Sequence, residues 1–258
     1  MGQMKRIAVI TGASSGMGKR FTETLQEGGV FDEVWVIARR EERLKELSCP
    51  YPVRPLALDL TDRASFDAYE MLLKSEDVQV GLLINCSGFG KFSATMDVSL
   101  AENLNMVDLN CQALMAMCQI TIPFMPRGGK IVNIASVAAI QPIPYINVYA
   151  ATKAFVLHFG RALNREIKKL GLSCMTVCPF WTQTEFFGRA IKDDENAVVK
   201  KYIVMYTPEQ IVSRAWRDLK KGKDMSMYGF VARFQSLLAK LAPHSFVMSY
   251  WMNQQKLN

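Results

Sequence analysis

Histidine is almost absent from this sequence. His158 and His244 are the only two, they lie far apart, and a metal centre is not expected from them. Cys49, Cys86, Cys111, Cys118, Cys174 and Cys178 include no CxxC pair. Several sit inside apolar runs, so free thiols in a reducing compartment are expected rather than a disulfide framework. Long hydrophobic runs are also missing. The longest, 113–125, is interrupted by Gln119 and Thr121 and is too short to span a bilayer. The first apolar run, 7–10, is too short for a secretory signal. Arg6 stands where a myristoylation pattern after Gly2 needs Ser or Thr. A cytoplasmic protein is the expectation. The formal charge is +7, without a Lys/Arg block or a nucleic-acid motif, so no nucleic-acid partner is expected. The basic residues read as solvated surface, with a few reserved for an anionic ligand.

What the chain does have is regular alternation. Short β-branched runs at 6–10, 33–38, 53–58, 81–85, 130–135, 173–178 and 225–229 alternate with amphipathic stretches at 16–27, 64–74, 101–124, 148–170 and 208–220. This order predicts an α/β fold: one doubly wound, Rossmann-like sheet of about seven parallel strands with helices on both faces. The strands are apolar almost throughout, as strands covered on both faces must be. There is no repeat and no linker, so residues 1–258 read as a single domain, with a ligand half over about 1–135 and catalytic and substrate segments over about 136–258. Ligands of such sheets bind beyond the carboxyl ends of the strands.

The residues that follow those ends carry chemistry. After the first strand comes Thr11-Gly12-Ala13-Ser14-Ser15-Gly16-Met17-Gly18, and then a helix. Glycines permit a tight turn and close approach to a pyrophosphate, and the helix N-terminus offers free N–H groups. The second strand ends in Arg39-Arg40, where an NAD site has an acidic residue for the ribose diol. A guanidinium suits a 2′-phosphate instead, which points to NADP(H). Asp59 and Leu60 follow the third strand. Asp59 can accept a bond from an adenine amino group or cap the next helix.

Tyr149 and Lys153 are four apart, on one helix face. An ammonium there, with an oxidised nicotinamide, favours the phenolate of Tyr149. Ser136, just past the fifth strand, can hydrogen-bond the oxygen that Tyr149 protonates. Asn110, in the middle of a helical stretch, is unfavourable unless it has a role or an exposed face. A kinked backbone there can hold a relay water.

Taken together these motifs resemble the short-chain dehydrogenase/reductase family, over roughly residues 5–185. Asn85-Cys86-Ser87-Gly88 looks like the family's Asn-Asn-Ala-Gly. Asn110, Ser136, Tyr149 and Lys153 align with its catalytic tetrad. Pro179-Phe180-Trp181-Thr182-Gln183-Thr184 resembles its Pro-Gly-x-x-x-Thr. The resemblance implies NADP(H) bound by Gly12, Ser14, Ser15, Gly16, Met17, Gly18, Arg39, Arg40, Asp59, Leu60, Asn85, Ser87, Gly88, Tyr149, Lys153, Pro179, Thr182 and Thr184. Thr184 and the backbone of Thr182 would hold the carboxamide. It also implies a homodimer or homotetramer. Phe180 departs from the family's Gly and puts a ring near the nicotinamide.

Phe89, Phe92, Gln141, Tyr145, Phe180, Trp181, Phe186 and Phe187 form the expected substrate pocket. It is aromatic and uncharged, suited to a bulky apolar ketone such as a steroid or bile acid, or to a long 3-oxoacyl or aromatic ketone. The tail carries a helical stripe, Phe230, Phe234, Leu237, Leu238 and Leu241, followed by Phe246, Val247, Tyr250 and Trp251. Core or subunit packing, a substrate lid and a peripheral membrane contact all remain open for it. So does a protein that senses NADP(H), or docks on a partner, with little turnover.

Overall fold

The computed structural model describes residues 4–191 and 198–257. Its seven strands are β1 (Lys5–Thr11), β2 (Glu33–Ala38), β3 (Val53–Ala57), β4 (Val78–Asn85), β5 (Lys130–Ile134), β6 (Ser173–Val177) and β7 (Met225–Ser226). All pair in parallel, in the order β3-β2-β1-β4-β5-β6-β7. Each expected strand is present. β4 starts at Val78 rather than at 81, and β7 stops at Ser226. The order turns back between β1 and β4, so a crevice opens above their carboxyl ends.

Two apolar clusters sandwich the sheet. In β1, Ile7 and Val9 enter one, Ala8 and Ile10 the other. This is the period of two that makes a doubly covered strand apolar at every position.

The helices are α1 (Gly16–Glu23), α2 (Glu41–Lys45), α3 (Ala64–Ser75), α4 (Leu100–Val107), α5 (Leu114–Thr121), α6 (Asn147–Glu166), α7 (Phe186–Ala190), α8 (Pro208–Lys220), α9 (Phe230–Leu241) and α10 (His244–Gln255). α2 and α7 have five residues each and show no period by which a sequence reveals a helix. α8 has the expected bounds: Thr207 and Gln210 form a capping box ahead of it, with Pro208 in its first turn. The stretch 101–124 is not one helix. A π-helical turn, Asp108–Ala113, separates α4 from α5, and this is the kink expected around Asn110.

The tail corrects one expectation. Phe230, Phe234, Leu237, Leu238 and Leu241 face solvent, while Ala232, Ser236 and Ala239 are buried beneath α9. The stripe is therefore not core packing. The small residues let α9 lie close against the body and turn the large ones outward. Trp251 and Gln255 of α10 do face inward. Among the described residues no helix is long and apolar enough to cross a membrane, and all six cysteines are free.

Candidate active site

The loop after β1 turns tightly. Gly12 has φ 65°, and a Cβ on it would lie 2.7 Å from the Ser87 nitrogen; a Cβ on Gly18 would run into the Gly12 carbonyl. Only glycine fits at either place. The Thr11 hydroxyl accepts from the Cys86 and Ser87 N–H groups (3.1 and 3.2 Å), tying this loop to the one after β4. α1 starts here with no acidic residue in its first turn and no side-chain cap from Ser15, so its leading N–H groups are available to an anion.

These loops and the ends of β2 and β3 wall a groove lined by Gly12, Ser14–Gly18, Arg39, Arg40, Asp59, Leu60, Ser87 and Gly88. Arg40 donates to the Ser14 and Ser15 hydroxyls (3.1 and 3.4 Å). Arg39 pairs with Asp59 at 3.7 Å. Burial pushes the Asp59 carboxyl up, but bonds from the Thr61 N–H and hydroxyl, with Arg39, outweigh it and hold the group below its ordinary value. Two guanidiniums, two serine hydroxyls and an acid-free helix start are a donor set that fits a dinucleotide carrying an additional phosphate.

The structure adds two groups to this groove mouth. Glu185 accepts from Arg43 through both oxygens (2.9 Å each) and from Arg40 (3.4 Å). Bonding to Arg43 keeps its carboxyl below the ordinary range. Glu185 immediately follows Thr184, but an isolated acid in a loop gave no signal, and its partners lie more than a hundred residues away in sequence. Asn85 leaves the expected set. It is buried in the sheet, where its Nδ2 donates to Asn133 Oδ1 at 2.9 Å, and it does not line the groove. At the last inward position of β4 it faces the neighbouring strand, opposite Asn133 in register.

Where the groove meets the far half of the sheet, Ser136, Tyr149 and Lys153 converge. The Ser136 hydroxyl caps the turn after β5 by accepting from the Ala138 N–H (3.1 Å). Lys153, buried, donates to the Ile134 carbonyl (2.9 Å). Its Nζ sits 5.7 Å from the centre of the Tyr149 ring. Burial drives the Tyr149 phenol up to about 12, against a hydrogen bond with Ser136. Burial also drives Lys153 down to about 8, opposed by the thiols of Cys111, Cys86 and Cys178. Within the chain alone, then, Lys153 does not lower the phenol as expected. Both groups are desolvated, and desolvation opposes charge on each. At neutral pH the phenol keeps its proton and the lysine its charge.

Asn110 lies in the π turn beneath this centre. Its Oδ1 accepts from the Phe89 N–H (3.0 Å) while its Nδ2 donates to the Phe89 carbonyl (2.8 Å) and the Thr152 hydroxyl (3.0 Å). The widened turn is what aims the amide at the loop after β4, and such turns recur at functional sites.

Beside Tyr149 lies a largely apolar cavity that is partly open to solvent. Phe92, Gln141, Phe180, Trp181, Phe186 and Phe187 line it, as do Pro179, Thr182 and Thr184. Two expected pocket residues are elsewhere. Phe89 borders the nucleotide groove, since its backbone is clamped by Asn110. Tyr145, at φ 65°, packs against the cluster of Phe92, Ile146 and Trp251 instead of facing the cavity.

Sequence reasoning missed the cavity residues that α10 brings. Trp251, Gln254 and Gln255 line it, with Ile143, Ile146 and Gln235. The Trp251 indole donates to the Pro144 carbonyl (3.1 Å). Gln255, fully buried, accepts from the Lys200 and Lys201 N–H groups (2.8 and 3.0 Å) and donates to the Lys201 carbonyl (3.1 Å). These bonds pin the tail over the site, which the order of residues along the chain does not disclose.

The family model described as short chain dehydrogenase matches residues 6–195. The very-long-chain 3-oxoacyl-CoA reductase-B of Danio rerio is 32% identical over 219 residues, 80% of this chain and 66% of that protein. The 17-beta-hydroxysteroid dehydrogenase type 3 of Danio rerio is 32% identical over 231 residues, 83% of this chain and 70% of that protein. The chain thus spans about two thirds of the length of these relatives. A solved short-chain dehydrogenase from Sphingobium yanoikuyae in complex with NADPH has a TM-score of 0.78 and 29% identity, covering 90% of this chain and 91% of its own.

Proposed function

This chain belongs to the short chain dehydrogenase family, and on that premise we propose that it is an NADP(H)-dependent oxidoreductase that reduces a bulky apolar ketone, of steroid or bile-acid size, to the secondary alcohol. The observation that carries the substrate class is the cavity. Its walls are largely aromatic and apolar, and Tyr149 is among the residues that line it. The relative named as a 17-beta-hydroxysteroid dehydrogenase supports the same class.

In this reading the groove residues Gly12, Ser14, Ser15, Gly16, Met17, Gly18, Leu60, Ser87 and Gly88 hold the dinucleotide, and Arg39 and Arg40 hold its 2′-phosphate. Thr182 and Thr184 orient the carboxamide. The nicotinamide, when bound, supplies the hydride. The chain supplies the proton: Tyr149, still protonated at neutral pH, gives it to the carbonyl oxygen, and Ser136 orients that oxygen with its hydroxyl. Lys153 remains cationic below about pH 8 and favours the negative charge that develops on Tyr149 as the proton leaves. Asn110 fixes the loop that separates the groove from the cavity. The aromatic walls exclude water and grip an apolar face, an area term of about 25 cal/mol per Å² before association costs.

A second reading is reduction of a long-chain 3-oxoacyl thioester. The relative named for that reaction supports it, as does Lys201 at the cavity rim, a cation placed for the phosphates of an acyl carrier. Free thiols throughout fit a reducing compartment such as the cytoplasm, and we propose a homodimer or homotetramer there.

The test is kcat/KM with NADPH across ketones of increasing apolar size, for the chain and for Phe180→Gly. Steroid or bile-acid ketones should be far better substrates than acetone-sized ones, and the variant should narrow the gap. Preference for short polar ketones, unchanged by the substitution, would refute the substrate class. A clear lead for 3-oxoacyl thioesters would select the second reading.

A further inference from the structure

From Met225 to the last residue the chain contains no Asp or Glu, while it carries Arg233, Lys240 and Lys256. This acid-free segment builds α9 and α10. On α9 the apolar residues at 230, 234, 237, 238 and 241 follow helical spacing along one face, and they are 80, 51, 55, 50 and 76% exposed. Phe230 and Phe234 stack on each other at 5.9 Å between centroids, in the open. On α10, the next helix along the chain, Phe246 and Tyr250 are also exposed, at 65 and 60%. A surface of this kind, several large side chains on consecutive helices, marks an interaction site rather than scattered surface apolarity.

The charge identifies the partner. We propose that the α9–α10 face docks on an anionic lipid bilayer, lying in the interface without crossing it. Basic residues with no acids among them match the negative surface of such a membrane. A second copy of this chain fits the face poorly. Two-fold pairing through this face would set one basic, acid-free surface against another, with no carboxylate of the segment on either side to compensate. Helix length and composition agree with a surface position, since α9 and α10 have 12 residues each, too short to span. The attachment is firm, because Trp251 and Gln255 anchor α10 to the body through four hydrogen bonds. The same two helices contribute Gln235, Trp251, Gln254 and Gln255 to the cavity. Docking therefore holds the cavity wall at the lipid, where an apolar molecule partitions.

Co-sedimentation of the full chain with vesicles tests this. One set is phosphatidylcholine alone and the other a phosphatidylcholine–phosphatidylserine mixture. The chain should pellet with the mixed vesicles and less so with the neutral ones, with binding that weakens as salt is added. The triple variant Phe230→Ser, Leu237→Ser, Leu241→Ser alters only exposed side chains. Its vesicle partitioning should fall by about a hundredfold or more, given the apolar area withdrawn. Lys240→Glu should reduce binding to the anionic set alone. Circular dichroism and NADPH binding check that both variants are folded. Absence of binding to either vesicle set, or binding that the triple variant retains, would overturn the proposal. So would a dimer in analytical ultracentrifugation that the triple variant dissolves while neither form pellets. None of these readouts depends on which ketone is reduced, so failure of the substrate reading leaves this result interpretable.

Discussion

Replacing Asn110 by Leu should destabilise the whole chain as well as the site. Leucine keeps roughly the side-chain volume and shape, so cavity formation contributes little. What disappears is a set of three hydrogen bonds, two to the Phe89 peptide groups and one to Thr152. Asn110 is 1% exposed and Phe89 2%, so water cannot readily replace them. A buried polar group stripped of its partner costs about 1–3 kcal/mol. Thr152 still donates to the Tyr149 carbonyl at 2.7 Å and counts least. The two Phe89 groups set the loss at about 3 kcal/mol, out of a total stability of about 5–15 kcal/mol. Urea unfolding with linear extrapolation reads this directly. Thermal unfolding should shift by about 6–12 °C for a chain of this size. Turnover should fall as well, because the loop bearing Ser87 and Gly88 loses its clamp. A variant within about 0.5 kcal/mol of the parent, an ordinary surface effect, would refute the argument that Asn110 works by holding Phe89.

If Tyr149 carries the proton as proposed, Tyr149→Phe should lower turnover by about 10²–10⁴-fold and spare NADPH affinity, since only the hydroxyl is removed; stopped-flow cofactor fluorescence beside steady-state rates checks both. On the proposed reading, Arg39→Asp would take a guanidinium away from the 2′-phosphate and place a second carboxylate beside Asp59, repelling that phosphate. NADPH binding should weaken by a few kcal/mol; equal efficiency of the unmodified chain with NADPH and NADH would contradict this. Glu185→Gln should release Arg40 and Arg43 and tighten NADPH by about two- to fivefold, a small gain because the ion pairs are exposed, and an unchanged Kd in a fluorescence titration would show that Glu185 does not compete. The rate of ketone reduction should hold below neutrality and fall as pH rises through about 8, where Lys153 loses its charge, while Tyr149 keeps its proton to about 12. Lys153→Met should lose that alkaline limb along with most of its rate.

The sheet and much of the groove were legible in the residues. Seven strands were readable because apolar, β-branched runs have a period and a length of their own. The Gly12–Gly18 turn could be read because its glycines satisfy a local backbone requirement. Arg39 and Arg40, and the Tyr149–Lys153 pair, also lie within local spacings. Where the structure altered the reading, long-range packing had decided. Asn85 turned into the sheet because Asn133 of β5 stands beside it. Phe89 was drawn to the groove side by Asn110, whose direction is set by a π turn. The protonation states of Tyr149 and Lys153 followed from burial, which sums contributions from strands and helices distant in sequence. The stripe on α9 was plain as a pattern, but periodicity gives a face and not its direction. Only packing, with Ala232, Ser236 and Ala239 seated against the body and Trp251 pinned to Pro144, determined that the large residues point outward and that the tail walls the cavity.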